Sequence, residues 1–155
     1  MRAWLRRNPG PMLAARLLVG GVYVWFGVNK VVDPVGFLKA LREYDVLPSS
    51  PPHWLNLTVI VLPWLEIVCS VLLLVGAWLR AAGSLLLVMT VVFTVALSAR
   101  AIGEASHQGI GVCDVNFDCG CGIGHVWFCS KLVENLVLLL LACVVVRSRS
   151  RAPTR

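Results

Sequence analysis

The sequence predicts an all-α integral membrane protein: a single four-helix bundle over residues 1–155, with both termini cytoplasmic and a short interfacial helix in its first outer loop. Three observations lead there. Apolar residues make up 58% of the chain, where soluble domains carry about 45–50%, and the mean hydropathy is +0.81. The apolar excess is gathered into four runs, each near the roughly 20 residues needed to cross a bilayer. Basic residues collect on the side that four crossings would make common to both ends of the chain.

The first span covers about 13–32, "LAARLLVGGVYVWFGVNKVV". Arg2, Arg6 and Arg7 precede it, as they would a signal peptide. Trp25, Phe26, Asn29 and Lys30 follow where a small-residue cleavage site belongs, so it reads as a retained helix. The second span covers about 54–79 and the third about 81–102. The fourth covers about 126–146. Its start takes in Lys131, Glu134 and Asn135, because the apolar run after Asn135 is too short by itself.

Arg2, Arg6, Arg7, Arg16, Arg80, Arg147, Arg149, Arg151 and Arg155 fall on one side of four crossings. Asp33, Glu43, Asp45, Glu104, Asp114 and Asp118 fall on the other. By the positive-inside rule the termini and the basic tail 147–155 face the cytoplasm, and the loops 33–53 and 103–125 face outward. The net charge of +6 is thus a topology signal. Arginines that flank spans do not form the folded basic face that nucleic acid requires. Trp54, Trp78 and Trp127 mark span ends, where amphipathic rings settle. In the first outer loop, Phe37, Leu41 and Tyr44 repeat at helical spacing between Pro34 and Pro48. This predicts a short surface helix, read as a lid that packs on the bundle or, alternatively, as a partner-docking face.

Of six cysteines, Cys113, Cys119, Cys121 and Cys129 map to the outer loop or the outer mouth of span four. Disulfides persist on that side of a membrane. Cys69 and Cys143 fall inside spans. Three readings of the outer four stand. They are structural staples, with three connectivities that spacing does not separate. They are redox-active, with Cys119-Gly-Cys121 as a close and strained pair, and with Cys129 at a helix start near Lys131, where a thiolate is favoured. Or they bind metal as Cys113, Cys119, Cys121 and Cys129 with His125 or His107, though Cys-x-Cys suits zinc poorly.

Glu66 lies near the middle of span two, on one face with Pro63 and Cys69. A charge at that depth demands a partner or a proton. The candidates are Arg100, Lys30 and Lys131. Lys131 meets Glu134 at i+3, and Lys30 and Asp33 share the same spacing at the outer surface. All these polar groups lie in the outer half or near the midplane. Thr90, Thr94 and Ser98 form a hydroxyl stripe, and Gly20 and Gly27 a small-residue stripe. Both read as packing seams.

Three stretches, "GVNKVVDPVGFLKALREYDVLP", "LPWLEIVCSVLLLVG" and "DCGCG", resemble the MauE branch of the DoxX-like membrane proteins over nearly the whole chain. The resemblance implies a four-helix bundle of a bacterial inner membrane, associated with methylamine utilisation. It also implies a periplasmic thioredoxin-like partner in the maturation of a disulfide-rich dehydrogenase subunit. It favours the redox reading, a thiol–disulfide oxidoreductase. Cys119 and Cys121 then exchange with the partner, and Cys129 with Cys113 relays or resolves. By fold-level analogy a quinone near Glu66, Lys131, Glu134 and Arg100 takes the electrons. The rivals are a non-catalytic assembly factor with structural disulfides and a metal-binding membrane protein.

Overall fold

A computed structural model describes residues 9–44, 53–118 and 124–147. Five α-helices make up most of it: α1 (Pro9–Val32), α2 (Pro34–Glu43), α3 (His53–Val75), α4 (Leu79–Gln108) and α5 (Phe128–Arg147). Between α4 and α5 lie one 3-10 turn, Val112–Asp114, and two short strands, β1 (Asn116–Asp118) and β2 (His125–Trp127). Four helices, α1, α3, α4 and α5, are long and apolar enough to cross a membrane.

The bundle is a closed ring. α1 packs chiefly on α3 and α4 on α5, while α1–α5 and α3–α4 contacts complete the circuit. Gly20 and Gly27 form the α1–α3 seam. A Cβ at Gly27 would stand 2.6 Å from Ile67 Cγ1 and 3.1 Å from the Pro63 carbonyl; one at Gly20 would stand 2.7 Å from Leu74. Where lipid surrounds the helices, close backbone approach of this kind supplies much of the association. The apolar rings of Trp25 and Trp64 point outward from the bundle.

The second span ends earlier than its hydropathy suggests, at Val75. Gly76 has φ +87°, and the Gly76 and Ala77 amides both donate to the Leu72 carbonyl, 3.0 and 2.9 Å away. This left-handed stop closes a helix. Arg16 reaches across from α1 and donates to the Leu73 and Leu74 carbonyls, each at 3.1 Å. Its guanidinium thus satisfies carbonyls that a helix end leaves without partners. Trp78 adopts φ +48° to enter α4, unusual for a non-glycine residue.

The first and third spans also differ from expectation. α1 begins at Pro9, where Pro occupies a first-turn position that lacks an intrahelical N–H bond anyway. α4 runs to Gln108, past the apolar run that ends at Ile102. Ala101 and Ala105 are buried there beneath Val115 and Phe117, and Gln108 Nε2 donates to Glu104 Oε1 at 2.5 Å. Gly109, at φ +65°, ends it. At 1.5 Å per residue α4 is about 45 Å long, so it projects beyond a hydrocarbon core of about 30 Å.

The first outer loop holds the expected helix. Asp33 is its N-cap, accepting from the Gly36 amide at 2.9 Å, and Pro34 takes a first-turn position. Phe37, Ala40 and Tyr44 are buried, so α2 lies on the bundle as a lid. Pro48, expected to close it, lies outside the described residues, as do Cys119, Cys121 and the tail from 148. The stretch 103–125, read from the sequence as an outer loop, contains the end of α4 and the first strand of an antiparallel hairpin that β2 completes. Its register is Asn116↔Trp127, Phe117↔Val126 and Asp118↔His125. The Phe128 amide, at the start of α5, also donates to the Val115 carbonyl at 3.1 Å. α5 therefore starts two residues later than the expected fourth span.

Gly27→Leu is expected to overpack the α1–α3 seam and destabilise the bundle by about 1–3 kcal/mol. Gly21→Leu, where nothing lies within 4 Å, is expected to stay within about 0.5 kcal/mol. Reversible unfolding in mixed micelles measures both.

Candidate functional site

Two features share the hairpin end of the bundle: a polar chamber between the helices and a cap of sulfur-bearing loop above it. The chamber grows out of α1. Tyr23, Phe26 and Lys30 lie on one face at i, i+3 and i+7, a stripe that turns inward. Lys30 is 4% exposed, and its ammonium donates to both oxygens of Glu66 on α3, at 2.6 and 2.8 Å. Of the three partners open to Glu66, Lys30 is the one that meets it. The same finding decides between the two settings open to Lys30: it turns into the bundle rather than pairing with Asp33 at the surface, and Asp33 caps α2.

Lys131 on α5 faces the same space and is 1% exposed. Its ammonium stands 4.4 Å from the centre of the Phe26 ring and donates to Glu134 Oε2 at 3.0 Å. The negative ring face suits a desolvated cation. The expected Lys131–Glu134 pairing therefore holds, but with the lysine inside the bundle and the glutamate partly exposed. Lys131 is thus directed to the chamber, a different setting from the thiolate partner expected beside Cys129.

The hydroxyl stripe of α4 completes the wall. Thr90 hydrogen-bonds with Tyr23, and Thr94 Oγ1 accepts from Asn135 Nδ2 at 3.1 Å. Thr90, Thr94 and Ser98 also donate to carbonyls one turn back, each at 2.7 Å. The stripe is thus more than a packing seam, because two of its members tie α4 to α1 and α5. Tyr23, Phe26, Met89 and Phe93 line the chamber and were not singled out from the sequence. The inward stripe of α1 was the available signal: an aromatic pair spaced at i, i+3 ahead of a lysine one turn on.

Arg100 takes a different place from the one expected. Its Nη1 lies 2.9 Å from Glu43 Oε2 on α2, off-line for a hydrogen bond, and its guanidinium covers the rings of Tyr44 and Phe117 at 5.6 and 5.7 Å. It joins lid to hairpin and takes no part in the Glu66 pair.

The chamber, partly open at its edge, offers about 30 Å³. That volume holds a water or two. A cavity that takes a benzene-sized ring is about 150 Å³, so the space among Lys30, Glu66 and Lys131 is small for a quinone ring.

In the cap, Cys113 and Cys129 form a disulfide, with Cα atoms 5.0 Å apart. Cys113 lies on the exposed 3-10 turn and Cys129 in the first turn of α5. The bond closes a ring 16 residues apart in sequence, a loop size for which closure contributes about 3 kcal/mol. Inside that ring, Cys119 and Cys121 belong to the segment joining the paired strand ends Asp118 and His125. They lie outside the described residues. Cys69 is buried among the helices and Cys143 half-buried, both as free thiols. The alternative metal set loses Cys113 and Cys129 to their mutual bond. Among the described residues no three His, Cys, Asp or Glu side chains converge as metal ligands. An open polar hollow of about 360 Å³, bordered by Lys39, Glu43, Arg100, Asn116 and His125, flanks the hairpin.

Four membrane-length helices around charged side chains, capped by a disulfide-closed hairpin, define a multi-pass four-helix membrane protein. The chain matches the family described as "Methylamine utilisation protein MauE" over residues 9–148, and it belongs to that family. No curated protein and no solved structure matches it.

Removing one partner from a buried pair leaves the other charge uncompensated. Glu66→Gln and Lys30→Met are each expected to destabilise the bundle by about 3–5 kcal/mol. The double variant is expected to lose clearly less than the sum of the two. Unfolding midpoints in lipid micelles, taken as a double-mutant cycle, measure the coupling.

Proposed function

We propose that the chain is a thiol–disulfide exchange protein of a bacterial inner membrane, with its hairpin end facing the periplasm. The observation that carries this reading is the Cys113–Cys129 disulfide, because it ties the outer loop to the start of α5 and, along the sequence, spans Cys119 and Cys121. Arg16, Arg80 and Arg147 at the opposite end support the orientation, and an oxidised cysteine pair suits the non-cytosolic side.

In this reading Cys119 and Cys121 exchange with a thioredoxin-like partner. A partner thiolate attacks one sulfur of a Cys119–Cys121 disulfide, and the other sulfur departs as a thiolate. The partner's second thiol resolves the mixed disulfide, so the partner leaves oxidised and the pair is reduced. The new dithiol reduces Cys113–Cys129 by the same two steps. Cys113 is the accessible sulfur and takes the attack. Cys129 departs as a thiolate at the start of α5, where unpaired amides favour negative charge. Thiol exchange is reversible, so the partner's poise sets the direction. The polar hollow beside the hairpin offers room for a partner's side chains. The family's description names methylamine utilisation, which supports assigning the exchange to that process, and a disulfide-rich enzyme subunit is the substrate we assign to it.

The second reading is a non-catalytic assembly factor. One observation favours it: Cys129 packs against the apolar cluster of Phe117, Val115 and Phe128, so its bond also staples the cap.

Cys121→Ser is expected to accumulate a covalent adduct with a soluble thioredoxin-like protein, seen as a reducible band on non-reducing gels. An assembly factor yields no adduct at any cysteine.

A further inference from the structure

The chamber and the cap touch. The Lys30 ammonium is 5.1 Å from the centre of the Phe37 ring of α2. Tyr44, at the end of α2, meets Phe93 of the chamber wall edge-on at 5.7 Å. Tyr44 also meets Phe117 of β1 at 6.4 Å, and Arg100 covers both Tyr44 and Phe117. A continuous run of rings thus leads from the hairpin to the buried ion pair.

The chamber itself is built for a small polar guest. Tyr23, Lys30, Glu66, Thr90, Lys131 and Asn135 line it, each 5% exposed or less. They offer hydroxyl, ammonium, carboxylate and amide groups around about 30 Å³. An internal water needs at least roughly 10–15 Å³ and two to four polar partners, and both conditions are met.

The cap depends on its staple. Each hairpin strand has three residues, so the pair relies on Val115 and Phe117 packing against α4 and α5 and on the disulfide that ties its flank down. The Cys113–Cys129 bond anchors one flank of the hairpin to α5, and Phe117 is the residue that presses on Tyr44 and Arg100.

We infer that the chamber is an internal water site and that the disulfide-held cap is its gate. Reduction of Cys113–Cys129 by a dithiol moves two electrons and two protons to the pair, leaving two thiols here and a disulfide in the donor. The ring opens, the hairpin loosens, and Phe117 withdraws from Tyr44 and Arg100. Bulk water then reaches Lys30 and Glu66. Their attraction weakens as the local dielectric rises, so the redox state of the cap sets the strength of the α1–α3 clamp. The gate rests on the proposed exchange only for its physiological reductant, since a phosphine reductant breaks the same bond.

X-ray hydroxyl-radical footprinting of the full chain in phospholipid nanodiscs tests both parts. The radicals form from water, so a mid-membrane side chain is marked only where water stands. Met89 reports on the chamber, and Trp64, 55% exposed on the lipid-facing surface, is the dry reference. With rates corrected for intrinsic reactivity, Met89 is expected to be marked faster than Trp64 in the oxidised protein. After phosphine reduction its rate is expected to rise by about fivefold or more, as for a local opening that becomes populated. A Met89 rate no higher than that of Trp64 overturns the water site, and a rate unmoved by reduction overturns the gate. Phe117→Ala, with the disulfide intact, is expected to give an intermediate rate and covers the case in which Cys113→Ser does not fold. A footprint that changes while Cys121→Ser traps no partner sinks the exchange function and keeps the gate; the converse sinks the gate alone.

Discussion

The Lys30–Glu66 ion pair is the constraint around which the rest is arranged. Neither charge is tolerated alone among apolar helices. Their contact at 2.6 Å therefore fixes the relative rotation and height of α1 and α3. Gly27 lies one turn below Lys30 and permits the close approach that the pair requires. Once α1 is set, Tyr23 and Phe26 face inward and meet Thr90 and Lys131, which orients α4 and α5. A membrane bundle lacks the hydrophobic drive of a water-soluble core, so close packing and polar ties of this kind decide which helix faces align.

The bundle divides along its length. Toward the termini it is held by Ala15, Val19, Leu73, Ala82, Leu86 and Val145, an apolar core with Arg16 closing the end of α3. Toward the hairpin it is polar inside and covered outside by α2 and the β-ribbon. The covering is largely aromatic, with Phe37, Tyr44 and Phe117 supported by Arg100. This asymmetry places the reducible bond and the buried charges at the same end, within one network of contacts.

Much of this was legible in the sequence, and the exceptions have physical causes. Apolar runs located four spans because bilayer thickness imposes a length, and Pro34 with the spacing of Phe37, Leu41 and Tyr44 announced α2. The hairpin was hidden: "NFD" and "HVW" are too short for an alternating pattern to stand out. Strand pairing there follows from the disulfide and from Phe117 packing on α4. The end of α4 was missed because hydropathy stops at Ile102, whereas Ala101 and Ala105 continue the helix by packing under the hairpin. Glu66 was recognisable as a charge in need of a partner. Choosing Lys30 over Arg100 or Lys131 depended on helix rotation, which spacing within one helix does not reveal. The i, i+3 spacing of Lys30 and Asp33 left a surface pair open beside the Glu66 pairing, because an N-cap beside a helix end produces the same spacing.

The central claim is that Cys113 is bonded to Cys129 at the hairpin end of the bundle, with Cys69 and Cys143 as free thiols. Mass spectrometry on protein alkylated within its native membranes, digested without reduction, tests it most directly. The account predicts a linked peptide pair containing Cys113 and Cys129, with Cys69 and Cys143 recovered as alkylated thiols after denaturation. Linkage of Cys113 to Cys69 or Cys143, or uniform recovery of Cys113 and Cys129 as free thiols from oxidising membranes, would contradict it.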